Sequence, residues 1–353
     1  MKVWKLLCPD APAAVSAKNG RASSALRSHT WGSVLVLAGS LLMLCCTAPV
    51  PARAQFRVGV LIQEMERAQS QAIKGMLAEL RKSGYQERKN IVLETRNAKG
   101  NRAALPPAVS ELVGQKVDVI FTTGTSATRA AITATKATPI VFIHPANPIA
   151  LGLVKPGSKG SENVTGVAAY SAETRDKRLT LLREIVPGLN KIAIFFDANN
   201  QFSRENFRDA EASAKKAGVQ VSGYGIKSAE ELRATLGGLV AERGVAIFHV
   251  ADDLVESESD FLFETARKKK LPTMFNEESW AIRGALAGYG PNYFEMGRQA
   301  ARLIDRIIKG QKPETLPLER ASKFDLTLNY RTATFIGLRF SNDLLKKADK
   351  VIR

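Results

Sequence analysis

The chain has 353 residues, a formal net charge of +17 and three cysteines, Cys8, Cys45 and Cys46. All three lie in the first 55 residues, so the rest of the chain has no thiol for a disulfide, a metal site or a nucleophile. The positive charge does not indicate nucleic-acid binding, because the basic residues are spread over helical patterns together with acids, as in ETRDKRLTLLRE (173–184). We interpret it as a solvated basic surface.

Residues 1–55 are predicted to be a signal segment that is removed. An uncharged apolar run at 31–46 precedes an A-x-A cleavage site at 52–54, which predicts a cut after Ala54. Removal lowers the net charge from +17 to +12, because the segment holds six Lys or Arg and one Asp. An exported chain without cysteine suits a bacterial periplasm. There are two alternatives. The segment could be retained as a membrane anchor, or the mature chain could be a lipoprotein that begins at one of the two cysteines in the run.

Short apolar runs and helical patterns alternate from Phe56 onward. Strands are predicted at 56–62, 90–96, 117–123 and 139–144, and helices at 70–85, 107–115 and 126–135. This alternation is typical of a parallel sheet with crossover helices. The Pro/Gly/Ser/Asn-rich stretch 145–166 is interpreted as a loop and a domain boundary.

The same alternation then restarts. Helices are predicted at 175–187, 203–218, 229–240, 260–270 and 295–310, and strands at 191–196, 219–226, 245–250, 271–276 and 285–290. The fold class is therefore α/β, with two doubly wound Rossmann-like lobes and a ligand cleft between them. In such sheets ligands lie outside the carboxyl ends of the strands.

This rule selects candidate ligand-binding residues without further information. They are Gln63, Glu64, Thr123, Gly124, Thr125, Ser126, His144, Asn147, Asp197, Asn199, Asp252 and Tyr289. Thr125 or Ser126 is expected to cap helix 126–135, whose backbone N–H groups and dipole would bind an anion. Asp252 or Asp253 is expected to cap a helix at 254–268.

Other chemistries fit this pattern less well. The turn at 124–128 lacks a P-loop and matches only half of a nucleophile elbow, although a Ser126–His144 pair is conceivable. No His/Asp/Glu spacing of a metal site is present. We therefore predict no catalytic residue, no metal and no cofactor.

Five longer segments together resemble a known family. They are RVGVLI (57–62), LPPAVSELVGQKVDVIFTTGTSAT (105–128), LPTMFNEESW (271–280), GYGPNYFEMGRQAARLIDRIIKG (288–310) and KFDLTLNYRTATFIGL (323–338). The chain resembles the substrate-binding proteins of bacterial ABC importers of the tryptophan/tyrosine type, which have the type I periplasmic binding fold.

The resemblance implies two lobes joined by a three-strand hinge. The N-terminal lobe would comprise 56–166 with about 291–320, and the C-terminal lobe 167–290 with about 321–353. A monomer would capture a small ligand and deliver it to an inner-membrane ABC permease, without catalysis and without nucleic acid. A ligand-binding sensor for a signalling receptor and a secreted hydrolase that uses Ser126 are the alternatives.

Characterised relatives of this type bind aromatic amino acids. The helix N-terminus at 124–126 would then bind an α-carboxylate, Asp252 or Glu278 would pair with an α-ammonium, and Tyr289 would stack on a ring. Two departures put amino-acid specificity in question. Relatives often have Gly-Asp-Pro where this chain has Ala-Asn-Pro at 146–148, and the loop at 63–66 is charged here.

Overall fold

The computed structural model describes residues 55–144, 148–149, 151–154, 162–169 and 172–353, with only the backbone for His144. The strands, in chain order, are β1 (Phe56–Ile62), β2 (Ile91–Asn97), β3 (Val119–Thr123), β4 (Ile140–His144), β5 (Val164–Ala168), β6 (Lys191–Asp197), β7 (Gln220–Ile226), β8 (Val245–Phe248), β9 (Thr273–Phe275), β10 (Ala287–Pro291), β11 (Glu319–Arg320), β12 (Phe324–Asn329) and β13 (Lys350–Ile352).

The helices alternate with these strands. They are α1 (Arg67–Lys82), α2 (Leu105–Gly114), α3 (Thr125–Ala134), α4 (Ala172–Ile185), α5 (Gln201–Lys216), α6 (Ala229–Gly238), α7 (Asp253–Ser257), α8 (Ser259–Lys268), α9 (Glu278–Arg283), α10 (Tyr293–Ile308), α11 (Tyr330–Ile336) and α12 (Asn342–Lys347), with short 3-10 turns at Arg102–Ala104 and Pro313–Thr315.

Two sheets organise the molecule. The first has the strand order β11-β5-β4-β3-β1-β2, and the second has the order β13-β12-β10-β9-β8-β6-β7. Neighbouring strands are parallel except for β10 and β12, which pair antiparallel with Gly288 opposite Thr327. We call the first sheet with α1, α2, α3, α10 and the two 3-10 turns the first half, and the rest the second half. The predicted α/β fold class is confirmed.

The inner strands β1, β3 and β4 of the first sheet and β6 and β8 of the second are largely buried, which explains why they are nearly continuous apolar runs, whereas the edge strands β2 and β7 are partly exposed and more polar. In β1, Val58, Val60 and Ile62 pack under α1 and α10, while Leu61 packs on the opposite face under α2 and α3. The strands of the second sheet are divided between two clusters in the same way. The parallel strands therefore bring their carboxyl ends to one edge of each sheet.

The chain passes between the sheets three times, after β5, after β10 and after β11. The second passage is short, because α10 begins two residues after β10 ends. There α10 packs closely on α1. The backbones approach each other at Gly75 of α1 and at Gly297 of α10, where the absence of a side chain leaves room for the other helix. This helix pair therefore fixes the position of the chain where it re-enters the first half.

The short helices α9, α11 and α12 and the strands β11, β12 and β13 were not predicted, and two predicted regions differ in the structure. Residues 164–166, predicted as part of a loop, belong to β5. The helix expected at 254–268 is two helices, α7 and α8, separated at Glu258. The predicted signal segment, 1–55, lies outside the described residues except for Gln55.

Candidate functional site

A cavity of about 880 Å³ is lined by residues from both halves. Its wall in the first half contains the start of α3 after β3, and its wall in the second half contains the segments after β8 and β9. Residues of α4 and α5 complete it. The cavity thus lies at the carboxyl ends of the strands, where doubly wound sheets bind ligands.

The turn from β3 into α3 forms the wall in the first half. Gly124 is the N-cap residue of α3 and has a positive φ of 80°, a conformation that a residue with a side chain rarely adopts. The hydroxyl of Thr128 donates to the Gly124 carbonyl at 2.7 Å and lies 2.9 Å from the hydroxyl of Thr122, which holds the turn. The prediction that Thr125 or Ser126 caps this helix is wrong, because α3 begins at Thr125.

Without a capping side chain, the N-terminus of α3 presents backbone N–H groups and the positive end of the helix dipole. Gly124, Thr125 and Ser126 all line the cavity. This end of the wall therefore favours a negatively charged group.

Asp252, which also lines the cavity, accepts backbone hydrogen bonds at both of its carboxylate oxygens. One carboxylate oxygen accepts from the backbone N–H of Asp197 at 2.7 Å, and the other accepts from that of Val255 at 2.9 Å. Asp252 is the N-cap of α7 and only 3% exposed. The predicted capping role is confirmed, and it occupies the oxygens that were expected to meet an ammonium group.

Three further acidic residues line the cavity. Asp253 forms an exposed ion pair with Arg102 at 2.9 Å, which joins the two halves. Glu256 lies 3.0 Å from Nε2 of His249, and burial, with Asp253 nearby, raises its pKa to about 8. Glu277 accepts from the hydroxyl of Tyr293 at 2.8 Å; burial, with Glu256 nearby, raises its pKa to about 7.

Two arginines of α4, Arg175 and Arg178, lie in the wall of the second half. Arg175 pairs with Asp209 at 3.2 Å. Arg178 is 7% exposed, donates to the His249 carbonyl at 2.9 Å and lies 4.7 Å from the ring centre of Phe248. Burial, together with Arg175, lowers the pKa of Arg178 to about 9, so its side chain stays charged at neutral pH.

The remaining wall combines polar side chains, among them Arg129 and Asn206, with an apolar and aromatic part. This part includes Leu105, Pro106, Leu151, Phe202, Val250 and Tyr289. Tyr289 stacks on Phe324 with ring centres 5.9 Å apart. Two polar atoms in the wall, Oγ of Ser203 and Oδ1 of Asn276, are buried and have no hydrogen-bond partner among the described residues.

The other sequence-predicted residues lie elsewhere or are not described. The residues that do not line this cavity are Gln63, Glu64, Thr123, Asp197, Asn199 and Glu278. Glu278 forms ion pairs with Lys350 and, at 3.3 Å, with Arg67. Asn147 and the side chain of His144 are outside the described residues. The structure thus brings together Gly124, Thr125, Ser126, Asp252 and Tyr289.

Sequence reasoning missed Arg178. It lies in a pattern that we interpreted as a solvated basic face, yet it is buried. The available signal was its spacing, since Leu181, Leu182 and Ile185 follow it at intervals of three, four and seven residues. Arg178 therefore lies on the apolar stripe of its helix.

Comparison with known proteins gives the family. Residues 57–352 match the family described as ABC transporter substrate binding protein. The chain belongs to this family. Such proteins are exported, bind small ligands and work with an ABC permease, and the family prediction is confirmed. The chain is 27% identical over 276 residues to a tyrosine-binding protein of Clostridioides difficile, covering 78% of this chain and 79% of that one.

Solved structures share the fold of this substrate-binding protein. A conserved domain protein of Vibrio cholerae has a TM-score of 0.73 and 25% identity, covering 84% of this chain and 99% of its own. A domain from Streptococcus pneumonia, solved in complex with L-Trp, has a TM-score of 0.73 and 23% identity, covering 85% and 100%. Within the described residues, no helix is both long and apolar enough to cross a membrane.

Proposed function

We propose that this substrate-binding protein captures a small aromatic carboxylate in the cavity and delivers it to an ABC permease. It acts as a periplasmic monomer, after cleavage of the signal segment behind Ala54, and does no chemistry and binds no nucleic acid. Tryptophan and tyrosine are the first compounds to test, because relatives with this fold are a tyrosine-binding protein and a domain solved with L-Trp.

The observation that carries this proposal is the combination of groups in one cavity. The uncapped N-terminus of α3 favours a carboxylate, and Phe202 and Tyr289 provide aromatic surface for a ring. Ser203 and Asn276 offer unused polar atoms to the remaining substituents. A volume of about 880 Å³ is within the range of small-molecule sites.

We propose, further, that the two halves move as the predicted lobes, with bounds of 56–166 plus about 291–320 and 167–290 plus about 321–353. The three passages of the chain between the sheets would then form the hinge. Closing the lobes would bring the start of α3 and the wall of the second half onto the ligand.

The test is a thermal-shift and calorimetric screen of the chain from Gln55 onward, after unfolding and refolding to remove any carried ligand. A ligand at one hundred times its Kd stabilises the folded state by about 2.7 kcal/mol, which gives a clear rise in Tm. The panel holds aromatic and aliphatic amino acids, aromatic acids, nucleosides and peptides. A response restricted to nucleosides or aliphatic compounds would refute the proposal.

A matched pair of variants ties binding to the cavity. Tyr289→Ala removes an aromatic wall residue and should weaken binding at least tenfold, whereas Tyr330→Ala removes a tyrosine that is 45% exposed and does not line the cavity. Equal affinity in both variants would place the ligand elsewhere. Release of product from ester or amide substrates by the wild-type chain would contradict the absence of catalysis.

A further inference from the structure

Arg178 is a buried charge that the fold does not neutralise. Its residue is 7% exposed, and within the described residues it forms no ion pair with any carboxylate. One hydrogen bond to the His249 carbonyl and the ring face of Phe248 are its described partners. An unpaired buried charge is costly, so its retention in the wall of a binding cavity indicates a partner that comes from outside the chain.

The acidic residues of the cavity cannot supply that partner. Asp252 accepts two backbone hydrogen bonds, and Asp253 is paired with Arg102. Glu256 is hydrogen-bonded to His249, and Glu277 accepts from Tyr293 and, at 3.3 Å, from Ser279. All four acidic residues in the wall are therefore engaged within the protein.

A ligand ammonium would therefore have to share each of these carboxyl groups with a partner that the protein already supplies. The raised pKa values of Glu256 and Glu277 add to this, because at pH 7 Glu256 is mostly protonated and Glu277 is about half protonated, which weakens their attraction for a cation. Arg178, by contrast, remains charged, and Arg175 lies beside it in the same wall. The wall of the second half is thus suited to an anion and poorly suited to a cation.

We propose that Arg178 binds the carboxylate of the ligand, and that the cavity prefers an organic acid with net negative charge to a zwitterionic amino acid. This deepens the proposed function and rests on it. An arginine can hold a carboxylate through two parallel N–H···O bonds, which gives both affinity and orientation. The specificity of the site then comes from the second half as well as from the N-terminus of α3.

The first test uses the unmodified protein and three probes with the same ring and chain length. Indole-3-propionate has the carboxylate alone, tryptophan has the carboxylate and the ammonium, and tryptamine has the ammonium alone. Calorimetry at pH 7 should give indole-3-propionate a Kd at least tenfold lower than that of tryptophan, with no measurable binding of tryptamine. The phenolic series of 3-(4-hydroxyphenyl)propionate, tyrosine and tyramine repeats the comparison.

Tighter binding of tryptophan or tyrosine than of its deamino acid would overturn this inference and leave the proposed function standing. If no carboxylate probe binds, both this inference and the proposed function are wrong. Because no substitution is involved, neither outcome depends on the folding of a variant.

The second test changes the arginine. Arg178→Met, with similar length and no charge, should weaken binding of indole-3-propionate by about tenfold to a hundredfold, the size expected for a lost charged hydrogen bond. Arg178→Lys should retain only part of the wild-type affinity, because lysine keeps the positive charge but lacks the two parallel N–H donors of a guanidinium group. Arg208→Met, on the exposed surface of α5 and outside the cavity, is the control.

A purely structural role for Arg178 would affect stability without changing the ranking of the probes. The decisive readout is therefore the ratio of the Kd values of indole-3-propionate and its neutral amide, indole-3-propionamide, in each folded variant, because an arginine that binds the carboxylate favours the charged probe alone. The inference fails if Arg178→Met keeps the wild-type ratio and the wild-type affinity.

Discussion

Replacing Gly75 with alanine should break the close contact between α1 and α10. A Cβ at Gly75 would lie 1.9 Å from the carbonyl oxygen of Phe294, and one at Gly297 would lie 1.9 Å from that of Ala72. Carbon and oxygen atoms in such contacts stay about 3.3 Å apart. The two helices would therefore have to separate by about 1.4 Å at this point.

Such a separation affects a large part of the core. The buried side chains of Ala72, Met76 and Leu80 on one helix and of Ala300 and Ile304 on the other belong to the same core cluster. A gap of only 0.5–1 Å already forfeits about a quarter to a half of a dispersion contact. Adding strain from the inserted methyl group, we expect Gly75→Ala to lower the free energy of unfolding by about 3–5 kcal/mol.

Urea denaturation followed by far-UV circular dichroism measures this loss. Gly237→Ala is the matched control, because Gly237 is also in a helix but has open space around its Cβ position. It should stabilise the protein by about 0.5–1 kcal/mol, since alanine is the better helix former. If Gly75→Ala stays within 1 kcal/mol of the wild type, the close helix contact does not exist as described.

Other substitutions probe the site. Raising the pH from 6.5 to 8 should lower stability by up to about 2 kcal/mol through Glu256, because the folded chain keeps a proton that the unfolded chain has lost; urea titrations of Glu256→Gln should show a smaller decline, which is the part that Glu277 contributes. Below pH 6.5 His249 acts in the opposite direction to Glu256, because burial lowers the pKa of His249 to about 3 and only the unfolded chain takes up its proton; the stability of His249→Gln relative to the wild type should therefore rise as the pH falls toward 3. Asp252→Ala should cost about 2 kcal/mol in the same assay and Asp253→Ala less than about 1, as expected for a buried cap and an exposed pair; equal costs would contradict these assignments. Gly290→Ala, whose Cβ would lie 1.9 Å from a carbonyl after β9, should weaken ligand binding by shifting the cavity wall, and calorimetry should show it.

Strands β1, β3 and β4 of the first sheet could be predicted because both of their faces are buried. β1 and β4 are continuous apolar runs, and their positions follow from the sequence within a residue. β5 was missed because it contains Gly166 and follows a stretch rich in Pro, Gly and Ser. The structure gives the reason for that glycine, since a Cβ there would lie 2.3 Å from the carbonyl oxygen of Phe142.

The site was only partly predictable for a different reason. The strand-end rule located Gly124 and Asp252, because position along a parallel strand determines which edge of the sheet a residue reaches. The rule could not reveal that both carboxylate oxygens of Asp252 accept hydrogen bonds from backbone N–H groups, because these contacts depend on the three-dimensional fold. Nor could charge patterning show that Arg178 is buried, since Arg183 in the same sequence pattern is exposed.

The ion pair between Arg102 and Asp253 gives the cavity a response to the surrounding electrolyte. Its two side chains are 64% and 78% exposed, and they belong to opposite halves. Exposed charges are screened as ionic strength rises, with a Debye length near 10 Å at 0.1 M and about 3 Å at 1 M. Part of the free energy that holds the halves together therefore fades in concentrated salt. A ligand held between the halves would therefore dissociate faster at high ionic strength than at low ionic strength, even if every contact inside the cavity were unchanged.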